Sequence, residues 1–298
     1  MWAFRAMNTD VVVAAPELSD GAERALALAV EQLFRQTEQR FSRFLPESEL
    51  AQLNRAKGPS TVSDELLALL LRARAHAIDT DGLFEPALGA TMRASGYDRS
   101  FAPGALDRDD DPSTTPYASI AMLDIDEEQH RVARPSHVQI DFGGFLKGLT
   151  VDRAAALAPG AVIVDAGGDA VLRGAPPGDA GWTIEIEDPH DAARTVGTIV
   201  VRDQAVATSA ANRRRWRRGT QTMHHLIDPR TRAPARSDVV QATILAPTAE
   251  VADVIAKVAF VLGSEHAMRE LDHRGLSGVL VLQDGAMLTV GGVEVHHA

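Results

Sequence analysis

The stretch from Ile140 to Asp169 combines residue types that could bind an anion. Glycine pairs occur in "DFGG" and "DAGGD", and Lys147 lies near the start of the helix predicted between them. Backbone N–H groups at a helix N-terminus attract anions, and glycine lets a phosphate approach closely. The spacing matches neither a Walker A loop nor a GxGxxG motif. These residues by themselves predict either an anion site or a glycine turn followed by a surface lysine, and Asp152 is expected to pair with Lys147 or to cap the helix.

A second group of polar residues lies in "MHHLIDPRTRAP". His225, Asp228 and Thr231 occur close together there, which suits either a ligand cluster or a turn whose histidine hydrogen-bonds locally. In "ADVIAKVAF", Asp253 and Lys257 are spaced so that both lie on one helix face. That spacing predicts either an intrahelical ion pair or a helix face directed at a ligand.

Composition excludes several other kinds of chemistry. The chain contains no cysteine, which rules out disulfides, thiolate catalysis and cysteine metal ligands. Its net charge of -11 argues against general nucleic-acid binding, because that affinity comes from Lys and Arg neutralising phosphates. "RRRWRR", at 213–218, is therefore expected to be a solvated hairpin tip, and the acidic stretch at 103–116 a solvated loop. No apolar run approaches the ~20 residues that span a bilayer, so we expect a cytoplasmic protein without membrane insertion.

Predicted helices and strands alternate along the chain. Helices are expected over 18–45, after N-caps at Ser48 and Ser63, over "LKGLTVDRAAALA", and before the glycines at 263 and 275. "VQIDFGG" and "AVIVDAGGD" are predicted to be strands that end in glycine turns. Hairpin signals such as "DEEQ" and "QDG" occur as well. The mixture favours an α+β fold with partly antiparallel sheets over a doubly wound parallel fold.

Taken in order, eight segments of the chain resemble the ApbE family, the FAD:protein FMN transferases. They are "MNTDVVV", "FSRFLPESELAQLNRA", "DGLFEPALGA", "IDFGGFLKGLTVDRAAAL", "IVDAGGDAVLRG", "VATSAANRRRW", "HLIDPRTRAP" and "ADVIAKVAFVLG". The resemblance implies an α+β fold of two interlocked subdomains with mixed or antiparallel sheets, forming one domain over 1–298 with FAD in the cleft between them. It also implies Mg²⁺ on the FAD pyrophosphate and transfer of FMN to a threonine hydroxyl of an acceptor flavoprotein, with release of AMP.

The same resemblance assigns roles to individual residues. His225 or Asp228 would accept the threonine proton, and Asp253 would be the acidic metal ligand. Ser42 and Asn54 would lie near the N-terminal side of the cleft. The residues implied to contact FAD, with Met7 on the flavin and Glu85 where the family usually has aspartate, are Met7, Glu85, Lys147, Asp152, Gly167, Gly168, Asp169, Thr208, Ser209 and Thr231.

Besides Glu85, four positions depart from the family pattern. Lys257 replaces a metal-binding threonine and removes an oxygen ligand of the kind that hard cations prefer. Its ammonium group could supply the positive charge itself or repel the ion. Asn8, Ala210 and Arg232 replace glycines, and the last two are expected to restrict turns that need glycine. These departures leave two alternatives to transfer: FAD binding without transfer, and hydrolysis of the FAD pyrophosphate.

Overall fold

The chain folds into two compact units, each assembled from separate stretches of sequence. A computed structural model describes residues 1–191 and 193–297. The first unit comprises Met1–Gln36, Phe145–Asn212 and Ser237–Ala298, and the second comprises Thr37–Gly144 and Arg213–Arg236. The domain organisation implied by the family resemblance stays a prediction.

Helices and strands are interspersed along the chain. The helices of the described residues are α1 (Asp20–Phe41), α2 (Glu49–Arg55), α3 (Asp64–Asp79), α4 (Gly89–Ala94), α5 (Leu146–Ala155), α6 (Ala249–Leu262) and α7 (Ser264–Arg274). A short 3-10 turn covers Ile120–Met122. The strands are β1 (Trp2–Ala6), β2 (Thr9–Ala14), β3 (Ser60–Thr61), β4 (Asp124–Asp126), β5 (Arg131–Ala133), β6 (Val162–Ala166), β7 (Asp169–Arg173), β8 (Trp182–Glu187), β9 (Thr195–Val201), β10 (Gln204–Ala210), β11 (Arg215–Arg218), β12 (Gln221–His224), β13 (Ile227–Asp228), β14 (Ala233–Pro234), β15 (Val239–Ala246), β16 (Ser277–Leu282), β17 (Met287–Val290) and β18 (His296–His297).

An eight-stranded antiparallel sheet forms the centre of the first unit. Its strand order is β1-β2-β6-β7-β10-β15-β16-β17, and each neighbouring pair runs antiparallel. One face packs on α1 and α5 through residues such as Phe34, Val151 and Val164. The other face packs on the smaller sheet β18-β9-β8 through residues such as Leu172, Ile199 and Val279. The α+β class with antiparallel sheets is confirmed.

Helix α6 is buried on almost every side. Eleven of its fourteen residues are buried, and these include Glu250 and Asp253. It packs against α5, β10 and β15. The helix ends at Gly263, whose φ of 77° lies in the left-handed region, and α7 ends at Gly275 with φ 63°. Both helix ends were predicted from these glycines.

The second unit combines short helices with three small sheets, β3-β5-β4, β11-β12 and β13-β14. The predicted N-caps of α2 and α3 are present: Ser48 accepts a hydrogen bond from Ala51 N at 3.0 Å, and Ser63 accepts one from Leu66 N at 3.2 Å. A core cluster that includes Tyr97 joins α4 to the sheets β11-β12 and β13-β14.

The prediction of a strand over "VQIDFGG" is wrong. Val138, Ile140 and Phe142 alternate as buried side chains, which explains the strand-like pattern. The segment, however, forms an isolated bridge with Leu88 rather than a continuous strand: Gly89 N donates to Gln139 O at 2.9 Å, and Asp141 N donates to Pro86 O at 2.8 Å. The Asn54 amide donates to Ile140 O and accepts from Ile140 N, both at 2.8 Å. Gly143 and Gly144 do lie in a turn before α5, as predicted, although Gly143 has no left-handed φ.

The acidic loop is mostly exposed, as predicted, but it packs against the arginine-rich segment through charge pairs and through the buried Leu106. The side chain of Arg218 is 5% exposed, and its Nη2 lies 2.7 Å from Asp110 Oδ2. Leu106 and Trp216 are buried in the core of the second unit. Arg215–Arg218 forms β11 of a hairpin, so the arginines lie within a strand and not at its tip. Because the loop carries carboxylates and the strand carries guanidinium groups, charge complementarity joins them.

Boundaries near the N-terminus also differ from the prediction. Helix α1 is shorter at both ends than 18–45, and the first hairpin strand, β1, was not predicted. Met7 and Asn8 form the two-residue turn to β2 with φ of 49° and 58°, the left-handed geometry of a tight hairpin turn. No helix within the part of the chain that the structure describes is long and apolar enough to cross a membrane.

Candidate functional site

Four charged side chains of the first unit form one cluster, the lysine–carboxylate cluster of Lys147, Asp169, Asp253 and Lys257. Lys147 on α5 forms an ion pair with Asp169 at the start of β7. Asp253 and Lys257, one turn apart on α6, form a second ion pair. The Asp169 carboxyl group interacts electrostatically with the other three charges. The packing of α5 and α6 against the sheet thus gathers two carboxylates and two ammonium groups.

Both lysines of the cluster are largely removed from solvent. The Lys147 side chain is 15% exposed and that of Lys257 is 20% exposed. Lys147 also donates to Ala166 O at 2.8 Å, and Lys257 donates to Asp253 O at 3.1 Å. The prediction of Lys147 as a surface lysine is therefore wrong, whereas the predicted i,i+4 ion pair of Asp253 and Lys257 is present.

Burial is the main influence on the acid–base properties of Asp169. Burial and the nearby Asp253 carboxylate raise the pKa of Asp169 to about 7, against the opposing effects of Lys147 and Lys257. The native state therefore binds a proton that the unfolded chain, with an aspartate pKa of about 3.9, releases. Since the native state binds more protons between these two values, its stability falls as the pH rises through them.

We expect the stability of the wild-type protein to fall between pH 5 and 8 relative to that of Asp169→Asn, which cannot titrate there. The difference should be on the order of 1 kcal/mol or more, because one pKa unit corresponds to about 1.4 kcal/mol. Urea unfolding at both pH values measures it. Asp109→Asn is the control, since the Asp109 side chain is 96% exposed. A pH dependence unchanged by Asp169→Asn would contradict the prediction.

A two-residue turn lies directly before Asp169. Gly167 and Gly168 connect β6 to β7 with φ of 64° and 93°, as a tight antiparallel hairpin requires. A Cβ on Gly167 would lie 1.9 Å from Thr9 Oγ1. Asp165 accepts hydrogen bonds from the N–H of Gly167 at 3.0 Å. The second predicted glycine turn is thus present, and it leaves bare backbone next to the cluster.

Gly148 was not singled out in the sequence, although it determines how closely α5 and α6 approach. A Cβ at this position would lie 2.4 Å from Ala249 O and 2.8 Å from Glu250 N. Asp152, one turn later on α5, accepts hydrogen bonds from Ala249 N at 2.7 Å and Glu250 N at 3.0 Å. Asp152 therefore caps α6, a different helix from the one that carries it. A glycine inside a predicted helix was the signal available for Gly148.

The remaining predicted residues of the first unit lie on or beside the sheet. Thr208 Oγ1 lies 2.9 Å from Thr243 Oγ1, and Thr208 N donates to Gly168 O at 3.0 Å. Ser209 is 5% exposed. Met7 packs against the core next to α1 and β6, in a left-handed conformation that costs a non-glycine residue about 1–2 kcal/mol. Thr208 therefore adjoins the glycine turn through its backbone.

In the second unit, the predicted base Asp228 is held by Arg230. The guanidinium group contacts both carboxylate oxygens, at 3.0 Å from Oδ1 and 2.8 Å from Oδ2. Burial acts to raise the pKa of Asp228, but hydrogen bonds from Arg230 and the adjacent backbone outweigh it and leave the pKa lowered. Thr231 Oγ1 lies 3.5 Å from Asp228 O. A carboxylate with these contacts is a weak proton acceptor.

His225 and Glu85 have different surroundings. His225 is half-buried and lies between β12 and β13. Its neighbour His224 lies 3.2 Å from Ala235 O through Nε2, and burial lowers the pKa of His224. Glu85 Oε1 accepts hydrogen bonds from Ala87 N and Ile120 N, both at 2.8 Å, and burial raises its pKa. Through these contacts Glu85 Oε1 links the backbone at Ala87 to the backbone at Ile120.

The three residues that replace family glycines differ in backbone conformation. Arg232 has a φ of 58° and donates through its backbone N to Asp228 O at 2.7 Å, so the predicted restriction is present there. Ala210 instead lies in β10, opposite Gln241, and has no left-handed φ. The prediction that Ala210 restricts a turn is therefore wrong. Asn8 adopts the left-handed conformation, which asparagine tolerates better than most residues.

We expect Arg232→Gly to be about 1 kcal/mol more stable than Arg232→Ala, because only glycine adopts this φ without steric cost. Both substitutions remove the same side chain, so their difference isolates the backbone conformation. Thermal and urea unfolding of the two variants measure it. Equal stabilities would show that the turn relaxes to another conformation at no cost.

The cluster does not fit the divalent cation that the family resemblance implies. One Asp253 oxygen, Oδ2, is buried without a hydrogen-bond donor among the described residues, but Lys257 contacts Oδ1 and the backbone oxygen of Asp253. The cluster's other carboxylate, Asp169, is paired with Lys147. Over 1–191 and 193–297, no group of three or more His, Asp or Glu side chains could hold a metal. Mg²⁺ requires near-octahedral oxygen ligands, and here it would face two ammonium groups.

Comparison with known proteins agrees with the fold. A sequence profile of the ApbE family matches residues 7–280. The chain is 32% identical to an FAD:protein FMN transferase of Treponema pallidum over 89% of this chain and 80% of that protein. Its structure matches the crystal structure of the ApbE protein of Thermotoga maritima with a TM-score of 0.84 at 26% identity, over 97% of this chain and 96% of that chain. It matches the flavin transferase ApbE of Vibrio cholerae with a TM-score of 0.77 at 22% identity, over the same shares. The chain belongs to the ApbE family.

Proposed function

We propose that this protein transfers FMN from FAD to a threonine hydroxyl of a target flavoprotein and releases AMP. The observation that carries the proposal is the lysine–carboxylate cluster beside the Gly167–Gly168 turn, where ammonium groups and bare backbone occur together. Pyrophosphate oxygens are recognised by such donors. Family membership supports the same reaction, since the Treponema pallidum relative is named FAD:protein FMN transferase.

The proposed chemistry is a displacement at the FMN phosphorus. A bond forms between that phosphorus and threonine Oγ, and the bond from phosphorus to the bridging oxygen breaks. The bridging oxygen leaves with AMP, and the threonine proton passes to a base. Ammonium groups near the phosphates stabilise the charge of this transition state. We assign no step to Mg²⁺, because the cluster does not offer a cation site.

His225 is the better of the two proposed bases. Asp228 is engaged by Arg230 and its pKa is lowered, so it gains a proton less readily. An imidazole is suited to accept a proton near neutral pH. Met7, Glu85, Asp152, Thr208, Ser209 and Thr231 stay predicted FAD contacts, and the cytoplasmic location stays a prediction for cell fractionation to test.

The test is intact-mass spectrometry of an acceptor domain that carries the family's target threonine, incubated with the protein and FAD. We expect the acceptor to gain one FMN with loss of water, and AMP to appear in equal amount by chromatography. The acceptor's threonine-to-alanine variant should gain nothing. His225→Ala should slow transfer by about 100-fold or more while FAD binding, followed by flavin fluorescence, remains.

Two results would replace the proposal with an alternative. FAD binding without a mass gain or AMP release would identify a protein that only binds FAD, the alternative favoured by the Lys257 departure. AMP and FMN released without modification of the acceptor would identify pyrophosphate hydrolysis by water.

A further inference from the structure

Lys257 contacts two of the Asp253 oxygens that could otherwise coordinate a divalent cation. Its ammonium group contacts both the side-chain Oδ1 and the backbone oxygen of Asp253. The Asp253 side chain is 4% exposed, so few other positive groups can reach it. A cation that bound through Oδ1 or the backbone oxygen would need to displace this ammonium group first.

With both carboxylates ionised, the charges of the cluster are already balanced. Lys147 and Lys257 oppose Asp169 and Asp253 one to one. A buried carboxylate requires a compensating charge or a proton, and both carboxylates have an ammonium partner. Adding a divalent ion would leave an excess of two positive charges among side chains that are mostly inaccessible, which is costly at low dielectric.

Lys257 also retains a donor for a ligand. An ammonium group has three N–H donors, and its contacts with Asp253 Oδ1 and Asp253 O engage two of them. The side chain is 20% exposed, which leaves an approach for an anionic oxygen. Lys147 is placed in the same way, with Asp169 and Ala166 O as two acceptors and 15% exposure.

We propose that the Lys257 ammonium group serves as a built-in cation at Asp253, so that this protein binds the FAD pyrophosphate without a divalent metal. The inference rests on the proposed function for the identity of the ligand. It concerns the metal requirement, which that function leaves open. Lys257 thereby neutralises phosphate charge directly and keeps Asp253 compensated when no ligand is bound.

The first arm of the test measures metal binding to the protein without FAD. After dialysis against EDTA, Mn²⁺ is titrated into the wild type, Lys257→Thr and Asp253→Asn and followed by electron paramagnetic resonance. We expect that the wild type and Asp253→Asn bind Mn²⁺ equally, because Asp253 holds no metal in the wild type. We expect Lys257→Thr to gain a new Mn²⁺ site, because the substitution restores a hydroxyl oxygen. A wild-type site that is lost in Asp253→Asn would overturn the proposal, as would the absence of any site in a folded Lys257→Thr.

The second arm measures FAD affinity by flavin fluorescence in EDTA and in MgCl₂ at equal ionic strength. The wild-type Kd should agree within about twofold between the two buffers, because charge-assisted hydrogen bonds from lysine do not require metal. Lys257→Met should bind about tenfold more weakly in both buffers, and Lys257→Thr should recover with Mg²⁺. Lys57→Met, at an exposed lysine, controls for loss of positive charge.

The two arms separate this proposal from the proposed function. FAD binding that does not depend on metal, without FMN transfer, would refute the transferase and leave the built-in cation standing. A tenfold or greater gain in wild-type FAD affinity with Mg²⁺ would refute the built-in cation while transfer could still occur. The absence of FAD binding in both buffers would refute the transferase and the pyrophosphate role of Lys257 together. Both wild-type measurements remain decisive if a variant fails to fold, which circular dichroism would show.

Discussion

Replacing Gly148 with alanine is expected to lower the free energy of unfolding by about 3 kcal/mol, although alanine is the better helix former. The new Cβ would lie 2.4 Å from Ala249 O and 2.7 Å from its carbonyl carbon. These are backbone atoms in the first turn of α6, so no side chain can rotate away. The two helices must separate to accommodate the methyl group.

Separation of the helices would also disturb contacts beyond the clash itself. Asp152 on α5 accepts hydrogen bonds from the first two amides of α6, and these bonds lengthen when the helices move apart. Loss of a helix cap costs about 1 kcal/mol. Both lysines of the cluster lie on the same two helices. A looser helix pair should therefore also weaken FAD binding.

Gly21→Ala provides a matched control for this prediction. Gly21 also lies in a helix, α1, but a Cβ there would have no atom within 4 Å. Helix propensity therefore acts alone, and this variant should be equally stable or up to about 1 kcal/mol more stable. Thermal unfolding of both variants decides the matter. Similar behaviour of Gly148→Ala and Gly21→Ala would show that α5 and α6 adjust freely and would contradict the prediction.

The parts of the fold that were predicted correctly depend on local sequence signals. The N-caps at Ser48 and Ser63, the ends of α6 and α7 at glycine, and the β6–β7 turn each follow from residues within one turn of the feature. The i,i+4 pair of Asp253 and Lys257 is equally local. Such features form in this chain much as they would in a peptide.

The errors arose where distant residues supply the partner. The alternation in "VQIDFGG" correctly indicated buried side chains, but the segment forms an isolated bridge with Leu88, and the Asn54 amide takes the backbone groups of Ile140. Lys147 appeared exposed in the sequence because its partner Asp169 follows only after a complete helix and strand. Arg218 was predicted to lie in a solvated hairpin tip, but it is buried and pairs with Asp110 of the distant acidic loop. Local periodicity cannot report pairings that the tertiary fold creates.

In the candidate site, too, the residues themselves could be predicted from the sequence, whereas their contacts across the fold could not. The glycines, lysines and carboxylates could be selected from the sequence, together with the departure at Lys257. The sequence could not show that the charges of Lys147, Asp169, Asp253 and Lys257 interact in one cluster. It also could not show that Asp152 caps α6, because that contact joins two helices separated in the chain.

The second large effect is expected from Lys147→Met, which removes the ammonium group but retains much of the side-chain volume. Asp169 would lose its ion-pair partner while its side chain is only 2% exposed. Breaking a buried ion pair by removing one partner costs about 3–5 kcal/mol, because the remaining charge is uncompensated. The loss should therefore be about 3 kcal/mol at pH 8.

The loss should become smaller as the pH falls. Burial and Asp253 already raise the pKa of Asp169, and Lys147 is the strongest opposing influence. Without Lys147 the pKa of Asp169 rises further, so at pH 5.5 the carboxyl group is protonated in the native state and carries no uncompensated charge. Native-state protonation stabilises the fold below the raised pKa and is lost above it, so we expect a loss of about 1 kcal/mol at pH 5.5.

Urea unfolding of Lys147→Met at pH 5.5 and pH 8 measures this difference, with Lys57→Met as the exposed-lysine control. The double variant Lys147→Met/Asp169→Asn removes both charges and should regain most of the stability lost at pH 8, because no buried carboxylate remains without a partner. An equal loss at both pH values, without recovery in the double variant, would instead attribute the effect to packing and to the hydrogen bond from Lys147 to Ala166 O.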